Sequence, residues 1–530
     1  MDDRSTLAPS TAPRPASQTW AITKPQVESA TGLVAAQHPE AAQVGADILS
    51  AGGNAMDAAV ATAIALSVVE PWLSGLGGGG FLLHATPDGT VDTLDFNLRA
   101  AAAADPADYP LSGGAGGDWF NWPSVEGDKN LIGAGSICVP GAVAGMAAAL
   151  ARYGSMAWGD VVAPAIALAE RGMRVDWFAR LAFAIDTPGL SGNDAAAALF
   201  LAPSARVPDP TDPTAHLLPM PAKADMLRRL ATAGAQDFYQ GDIAQRLVAD
   251  LNAAGSKITA DDLAGYTPVW GKPAQAQYGG RTVCTMGGLS GGPSLLTTLS
   301  TLAATDMTAQ TDAGFSAAHA NAIRGAYEAR LKTMGHAAGA QDCTSHISVV
   351  DGTGAMVSLT NTLLSRFGSK VVAPSLGLLM NNGMMWFDPR PGNPNSIAGG
   401  AVPLANMSPV ITLRDGTPDI AIGAAGGRQI FPAIVQILSR LIDLNETPET
   451  ALHAPRIDAS APTILVNRAA AVDTASAIAA DHPVQITEDS LYPVQFAIPT
   501  MVQAGRGGGP NIGAVHPNTP WTAVRAATPT

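Results

Sequence analysis

The chain of 530 residues has a formal net charge of -14, 47% hydrophobic residues and only 14% charged residues. Because soluble domains usually carry about 25% charged residues, this composition predicts a large buried core. An acidic chain without runs of Lys or Arg argues against a nucleic-acid partner, since phosphate backbones bind clustered cations.

The N-terminal segment is rich in Pro, Ser and Thr and lacks apolar periodicity. We therefore predict a disordered tail over residues 1–25, with order beginning near Gly32. The segment has neither the basic start nor the apolar region of a secretory signal. The longest apolar stretch, Ala58 to Val69, is well short of the roughly 20 residues that span a bilayer, so no membrane segment is expected.

The cysteines are few and lie far apart in the sequence, at Cys138, Cys284 and Cys343. Their spacing fits neither a zinc site nor a small disulfide framework. We interpret them as reduced thiols of a cytoplasmic protein. No cluster of metal ligands is visible, and we expect no metal and no cofactor.

An alanine-rich region follows the tail. From His38 onward the pattern predicts two helices separated by the breaker Gly52-Gly53-Asn54. The four glycines Gly77 to Gly80 then precede an apolar strand, which indicates a backbone that passes close to another backbone or to a ligand. We favour a tight buried crossing. A Walker-type phosphate loop is excluded because no Gly-Lys-Ser/Thr follows.

The rest of the chain interleaves helices and strands. Residues from about 140 to 265 have helical spacing, with a helix cap predicted at Thr259, and predict a helical layer. The segment HISVVDGTGAMVSLTNTLL predicts a hairpin that turns through Asp351 to Gly354. No internal repeat and no linker divides the ordered part, so one interwoven α/β domain is predicted.

Several segments together resemble the gamma-glutamyltransferase family, and they occur in the order of that family. They are GGNAMDAAVATAIALSVVEPWLSGLGGGGF, DLAGYTPVWGKPAQAQYGG, TSHISVVDGTGAMVSLTNT followed by FGS, and NMSPVITLRDG leading to GAAGGRQI. The match covers most of residues 32–445 and is weak after about residue 460. The resemblance implies a four-layer αββα sandwich of the N-terminal nucleophile hydrolase type. It also implies a processed heterodimer, with a large subunit over 26–343 and a small catalytic subunit over 344–530.

The resemblance assigns the central chemistry to Thr344. In this family the proenzyme breaks the peptide bond before the matching threonine, so the cut is expected between Cys343 and Thr344. The freed α-amine, with a reference pKa near about 8, then serves as the base for the hydroxyl of the same residue. The expected reaction is acyl transfer through an ester on Thr344 to water or an amine.

Three further residues match catalytic positions of the family. Thr362 corresponds to a second threonine that hydrogen-bonds the nucleophile, although a solvent-facing strand threonine is the alternative. Gly426 and Gly427 correspond to the pair whose N–H groups form the oxyanion hole, although an ordinary strand-to-helix turn would need the same geometry. His346 is interpreted as structural, because adjacent strand residues such as Ser345 and His346 point to opposite faces.

The positions that hold the glutamyl group in the family differ here. Asn97 replaces a carboxylate-binding arginine, and Arg99 lies two residues further along the strand, where it could reach the same face. Leu364 replaces an asparagine. Both changes indicate an altered substrate pocket.

Two later positions also differ from the pattern of the family. Trp386 replaces the acidic residue that pairs with an α-ammonium, and an apolar ring cannot take that role. Ala405 and Asn406 replace a pair of serines. We therefore expect Asn97, Arg99, Trp386 and Asn406 to contact a different acyl group.

These observations leave three hypotheses for the function. The first is a self-cleaving Thr-nucleophile amide hydrolase or acyltransferase whose small-molecule substrate is a glutaryl-, cephalosporin- or oxamate-type amide. The second is a true gamma-glutamyltransferase or glutathione hydrolase, with Arg99 taking over carboxylate binding. The third is a non-catalytic binding protein on the same fold. Retention of Thr344, Thr362 and both glycines argues against the third.

Overall fold

The computed structural model describes residues 22–115, 122–202, 214, 216–335, 343–492 and 494–528. Most of the predicted tail, residues 1–21, lies outside the described residues. Its last part is anchored, because Lys24 Nζ donates to Thr522 O and to Thr522 Oγ1, each over 2.7 Å. The prediction that order begins near Gly32 is wrong, since a strand already starts at Val27 and pairs with the C-terminal region.

The strands of the described residues are grouped mainly in two large sheets. In chain order they are β1 (Val27–Ser29), β2 (Leu33–Ala36), β3 (Gly79–Ala85), β4 (Val91–Phe96), β5 (Leu111–Ala115), β6 (Pro123–Val125), β7 (Met173–Arg174), β8 (Leu217–Leu218), β9 (Val269–Gly271), β10 (Ala274–Tyr278), β11 (Arg281–Thr285), β12 (Cys343–Val350), β13 (Met356–Leu364), β14 (Val372–Ala373), β15 (Leu378–Leu379), β16 (Val410–Arg414), β17 (Thr417–Ala425), β18 (Ile457–Asp458), β19 (Ile464–Asn467), β20 (Val484–Thr487), β21 (Ile498–Gln503), β22 (Asn511–Val515) and β23 (Ala523–Ala526).

The α-helices of the described residues flank these sheets. They are α1 (Pro39–Ser50), α2 (Ala55–Val69), α3 (Ala142–Tyr153), α4 (Trp158–Arg171), α5 (Trp177–Leu190), α6 (Asp194–Ala196), α7 (Pro221–Ala233), α8 (Asp237–Gln240), α9 (Asp242–Ala253), α10 (Ala260–Ala264), α11 (Gly292–Leu302), α12 (Asp312–Met334), α13 (Ile430–Ile442), α14 (Pro448–His453) and α15 (Thr474–Ala479).

The two large sheets are antiparallel throughout. The first has the order β1-β22-β21-β17-β16-β11-β10, and the second has the order β23-β2-β12-β13-β3-β4-β9. Each sheet combines strands that precede residue 343 with strands that follow it. The C-terminal region, where the family resemblance is weak, supplies β21, β22 and β23 and thereby completes both sheets.

The sheets pack face to face, and helices cover their outer faces. Strand β12 packs against β17 and β21, helices α1 and α2 cover the second sheet, and helices α11 and α13 cover the first. Alternation along the strands separates the layers: Leu33 and Ala35 belong to the core between the sheets, whereas Val34 and Ala36 face the helices. The fold is the predicted four-layer αββα sandwich of the N-terminal nucleophile hydrolase type.

Helix α2 is buried along its whole length, which explains its alanine-rich sequence. Small side chains let a helix approach a sheet and neighbouring helices closely. As the breaker pattern predicted, the helix begins after Asn54, whose side chain accepts hydrogen bonds from Met56 N and Asp57 N in a capping box. The apolar run ends at Glu70, whose side chain is buried. In the described part of the chain, no helix is both long enough and apolar enough to cross a membrane.

The four glycines form the predicted tight crossing. A Cβ atom on Gly78 would lie 2.1 Å from Thr362 O, and one on Gly80 would lie 2.0 Å from Thr360 O. Neither position has room for a side chain, because the contact is backbone against backbone. The crossing presses β3 against β13 and so fixes the strand that carries Thr362.

The hairpin between β12 and β13 is also confirmed. Asp351 Oδ1 accepts from Thr353 N over 2.9 Å within the turn. The other carboxylate oxygen, Oδ2, accepts from Ala55 N over 3.0 Å at the start of α2. One aspartate therefore ties the hairpin to the helix layer and sets the position of both.

Candidate active site

Thr344 lies at an irregularity in the pairing of β12 with β13. The register shifts between Cys343 and Ser345, because Thr344 lies opposite two residues of the partner strand, Thr362 and Leu363, which marks a β-bulge in β13. A bulge re-aims side chains away from the regular alternation of a strand. Thr344 Oγ1 donates to Thr362 Oγ1 over 3.4 Å, and both side chains are buried. The structure therefore brings together the two threonines that the sequence singled out.

Leu364 holds an unusual backbone conformation beside this pair. Its φ is 82°, its side chain is fully buried, and its N–H donates to Thr362 Oγ1 over 2.8 Å. A positive φ is uncommon for a residue other than glycine, and asparagine adopts it more readily than leucine. The asparagine that the family resemblance places here would suit this backbone. With leucine, the turn that orients Thr362 is strained.

The predicted glycine pair lies at the end of β17. Gly426 has φ 132° and Gly427 has φ 54°, and the short helical turn Gly427–Gln429 leads into α13. A Cβ atom on Gly426 would lie 2.8 Å from the Cα atom of Ala497, so only glycine fits at this position. Gly426 and Thr344 line the same pocket. The location beside Thr344 is consistent with the predicted oxyanion role, which stays a prediction.

A pocket with mainly apolar walls lies beside Thr344. The walls include Trp72, Leu73, Phe178, Leu181, Ala182, Ile185, Leu491, Val494 and Ile498, together with the polar residues Gln37, Glu70, Arg366, Gln429 and Thr519. Mainly apolar walls with a few polar groups, next to a buried hydroxyl, are typical of a small-molecule site.

Glu70 is the buried carboxyl group of this pocket. It has a relative exposure of 1%, and its Oε2 accepts from Ser345 Oγ over a long 3.5 Å. Burial raises the pKa of Glu70 well above its usual value, and the hydrogen bond from Ser345 lowers it only in part. Arg366 lines the same pocket but is ion-paired with Asp186. Burial therefore disfavours the charged form of Glu70 as long as no cation lies beside it.

Two of the predicted substrate contacts lie on the loop after β4. Asn97 is buried, its Nδ2 donates to Pro403 O over 3.0 Å, and its Oδ1 accepts from the neighbouring backbone N–H of Leu98 over 2.8 Å. The Arg99 guanidinium lies over the Tyr266 ring, 5.5 Å from its centroid. Neither Asn97 nor Arg99 is among the residues that line the pocket beside Thr344.

The other two predicted contacts are also outside that lining. Trp386 is buried, and its carbonyl accepts from Asn395 Nδ2 over 2.5 Å. Asn406 Oδ1 accepts from Arg330 Nη2 over 3.4 Å, and the same guanidinium nitrogen donates to Ala405 O over 2.8 Å. The role of all four positions in substrate binding stays a prediction. Burial lowers the pKa of Arg330 to about 10, so this internal arginine remains charged at neutral pH and holds the 405–406 segment.

His346 is fully buried between the two sheets. Ser348 Oγ donates to Thr500 O, and Ser358 Oγ donates to Ile422 O. Because each hydroxyl has only one proton, both must accept from the imidazole, so His346 Nε2 carries the hydrogen.

The other ring nitrogen of His346 completes the assignment. Nδ1 accepts from Thr360 Oγ1 over 2.8 Å, and both imidazole nitrogens are thus satisfied in the neutral form. A Cβ atom on Gly423 would lie 2.3 Å from the ring, so this glycine makes room for it. Ser345, by contrast, points toward Glu70. The structure agrees with the sequence argument that Ser345 and His346 face opposite ways and that His346 is structural.

This network predicts a pH-dependent contribution to stability. Burial lowers the pKa of His346 to about 3 from a usual 6.5, so below about pH 6.5 the unfolded chain binds a proton that the folded chain does not. The folded state should therefore lose stability as the pH falls, by about 1.4 kcal/mol per pH unit for this one proton. We expect the difference in free energy of unfolding between wild type and His346→Asn to shrink between about pH 6 and about pH 4 in urea titrations.

Taking the difference between the two proteins removes the contribution of the other titrating groups, several of which are buried histidines and carboxyls. A difference that stays constant across this pH range would contradict the neutral, buried assignment of His346.

Comparison with known proteins adds an independent line of support. The family model for gamma-glutamyltranspeptidase matches residues 41–342 and 336–498. An acylase ACY 1 proenzyme from Pseudomonas sp. (strain SE83) is 31% identical over 82% of this chain and 83% of its own length. A glutathione hydrolase proenzyme from Escherichia coli (strain K12) is 32% identical over 81% of each chain.

Solved structures give the same result for the fold. The crystal structure of a cephalosporin acylase from Bacillus halodurans superposes with a TM-score of 0.84 and 25% identity, covering 98% of this chain and 99% of that one. Gamma-glutamyltranspeptidase from Helicobacter pylori superposes with a TM-score of 0.51 and 29% identity, over 60% of this chain and 86% of that one.

The layered fold and the curated relatives define an N-terminal nucleophile hydrolase, an enzyme of the amide hydrolase and transferase class. The matched residues and the identity to curated relatives then fix the family: the chain belongs to the gamma-glutamyltranspeptidase family.

Glu70 is the site residue that the sequence argument missed. A signal was present, because a single carboxylate ends the otherwise apolar run of α2. An acidic residue in that place is ordinarily expected to face solvent. Only the packing of α2 against β12 places it under the pocket.

Proposed function

We propose that Thr344 is the nucleophile of a self-cleaving amide hydrolase or acyltransferase. The observation that carries this proposal is the Thr344–Thr362 contact at a β-bulge, beside a pocket that also includes Gly426. In the proposed maturation, Thr344 Oγ1 attacks the carbonyl carbon of Cys343 and the peptide C–N bond breaks. Water then hydrolyses the resulting ester, which leaves a carboxylate on Cys343 and a free amine on Thr344.

The mature enzyme then uses the same hydroxyl on its substrate. The freed α-amine of Thr344 takes the hydroxyl proton, Oγ1 attacks the amide carbonyl, and the N–H groups of Gly426 and Gly427 stabilise the oxyanion. The amide C–N bond breaks and the amine leaves with the proton. Water, or an acceptor amine, releases the acyl group from Thr344 and restores the hydroxyl.

The acyl group is proposed to differ from gamma-glutamyl. The names of two relatives indicate different substrates, since one is an acylase and the other a glutathione hydrolase. Trp386 offers a buried apolar ring where an α-ammonium would need a carboxylate, and Asn97 offers an amide where an α-carboxylate would need a guanidinium. Glutaryl-, cephalosporin- or oxamate-type amides require no α-ammonium site. The enzyme is proposed to act in the cytoplasm.

A panel of substrates tests the acyl group. Purified protein is incubated with a gamma-glutamyl anilide and with glutaryl, oxamate and cephalosporin-type amides, and kcat/KM is measured for each. We expect at least one of the latter to exceed the gamma-glutamyl anilide by about tenfold or more, since an unpaired charge in a desolvated site costs several kcal/mol. A clear preference for the gamma-glutamyl anilide would instead support the alternative in which Arg99 binds the carboxylate. Failure of every substrate with an uncut chain would favour the non-catalytic binding protein.

A further inference from the structure

The pocket beside Thr344 combines apolar walls with a buried carboxyl group. Helix α5 contributes Phe178, Leu181 and Ile185 to one wall, and Leu491, Val494 and Ile498 contribute another apolar wall. Surfaces of this kind bind hydrocarbon groups, because burial removes apolar surface from water. The pocket is therefore suited to an aliphatic or aromatic body.

Among the described residues that line this pocket, Glu70 supplies the carboxyl group. Its only hydrogen bond from a side chain of the described residues is the long one from Ser345, and no ion pair of those residues includes it. The candidate cation in the lining, Arg366, is already bound to Asp186, which Lys370 also contacts. A buried carboxyl without a cation is costly to ionise, and a bound cationic ligand would offset that cost.

The location of the pocket indicates which part of a substrate it receives. Asn97, Trp386 and Asn406, the positions expected to contact the acyl group, are absent from its lining, whereas Thr344 and Gly426 are present. A substrate amide has two sides at the reacting carbonyl. The pocket is lined by the proposed nucleophile but not by the residues expected to contact the acyl group. It is therefore positioned to receive the amine side of the substrate.

We propose that this pocket binds the amine portion of the substrate, an apolar amine whose nitrogen is recognised by Glu70. This inference rests on the proposed function, because the two sides of the amide are defined by attack of Thr344. The departing or accepting amine is cationic when protonated, and its ammonium complements the Glu70 carboxylate. An anionic group of the same shape is disfavoured in the same place.

Binding of simple probes to the full chain carrying Thr344→Ala tests the proposal without any chemistry. The probes are phenethylamine, phenethyl alcohol and hydrocinnamate, which share an apolar body and differ in charge. We expect phenethylamine to bind about tenfold more tightly than phenethyl alcohol, measured by titration calorimetry, and hydrocinnamate to bind most weakly.

Glu70→Gln in the same background should remove the advantage of the amine while leaving the alcohol unchanged. Its fold should be retained, because the glutamine amide has nearly the same shape as the glutamate carboxyl group. The matched control is Glu328→Gln, which changes an exposed glutamate of α12 and should leave all three affinities unchanged. Ile185→Asn, at a half-buried wall position, should weaken the amine and the alcohol alike.

Equal binding of the three probes, or an amine preference that survives Glu70→Gln, would overturn the inference. If Glu70→Gln fails to fold, the ranking of the three probes and their response to Ile185→Asn still decide it. These results are separable from the proposed function. An uncut and inactive wild-type chain would refute the nucleophile while leaving the binding data intact, and equal probe binding to an active enzyme would refute only the role of Glu70.

Discussion

Thr344→Ala is expected to yield a single uncut chain without amide hydrolase activity. The alanine variant lacks the Oγ1 atom that attacks the Cys343 carbonyl in maturation and the substrate carbonyl in turnover. The fold should survive, because among the described residues the lost hydroxyl makes one long hydrogen bond, to Thr362 over 3.4 Å. We expect a rate loss of at least about a thousandfold, down to background. A denaturing gel shows the cleavage, and hydrolysis of the best amide of the panel shows the activity.

Two controls sharpen this test. Thr344→Ser keeps a hydroxyl at the same place and should mature and react, although more slowly. Thr297→Ala removes an exposed hydroxyl of α11, which donates to Pro293 O, and should behave as wild type. A Thr344→Ala chain that still splits near residue 343 would refute the assignment of the nucleophile.

Gly426→Ala is expected to cause the second large loss. At φ 132° an alanine is strained, and its Cβ would meet the Cα atom of Ala497 at 2.8 Å, so the turn must move. Movement of the turn displaces the N–H groups that are proposed to stabilise the oxyanion. The loss of one such donor typically lowers kcat by about a hundredfold to a thousandfold, or about 3 to 4 kcal/mol in the barrier. Steady-state kinetics on the mature enzyme should show the loss in kcat more than in KM.

A glycine elsewhere separates this effect from general strain. Gly416 has φ 78° in the turn between β16 and β17, and a Cβ atom there would meet nothing within 4 Å. Gly416→Ala should therefore cost about 1 kcal/mol of stability, through backbone strain alone, without changing kcat per folded molecule. If Gly426→Ala and Gly416→Ala reduce kcat equally, Gly426 has no special place in catalysis.

The strained backbone of Leu364 lies in the same core as Trp386, one of the positions predicted to contact the substrate. The family asparagine is lost at a residue whose positive φ favours asparagine, so the change was tolerated despite its backbone cost. Leu364 also packs in the core that includes Trp386. Exchange of polar for apolar side chains at both places makes this region of the molecule less suited to a zwitterion.

Short-range sequence signals determined much of the architecture. The breaker Gly52-Gly53-Asn54 gave the start of α2, and the Asp351 to Gly354 turn gave the hairpin, because capping and turn chemistry depend on a few adjacent residues. The four glycines predicted a tight crossing, because a run of residues without side chains lets two backbones approach closely. The ordered family motifs gave the four layers, since together they cover most of the chain.

What lies around Thr344 depended on the tertiary structure. The bulge in β13 that sets Thr362 opposite Thr344 results from pairing across a hairpin, and periodicity alone does not show where the register shifts. Nothing in the sequence around Arg330 distinguishes it from other helical arginines. Packing of the chain brings its guanidinium to Ala405 and Asn406.

The sequence by itself thus determined the family, the layered fold and the candidate nucleophile, because these are carried by local motifs in a fixed order. Only the tertiary structure decided that Glu70 lies buried beside Thr344 and that His346 is locked, neutral, between the sheets. Both depend on which residues, distant in the chain, share one desolvated space. Burial and the loss of water decide the charge of a side chain, and neither is encoded at any single position.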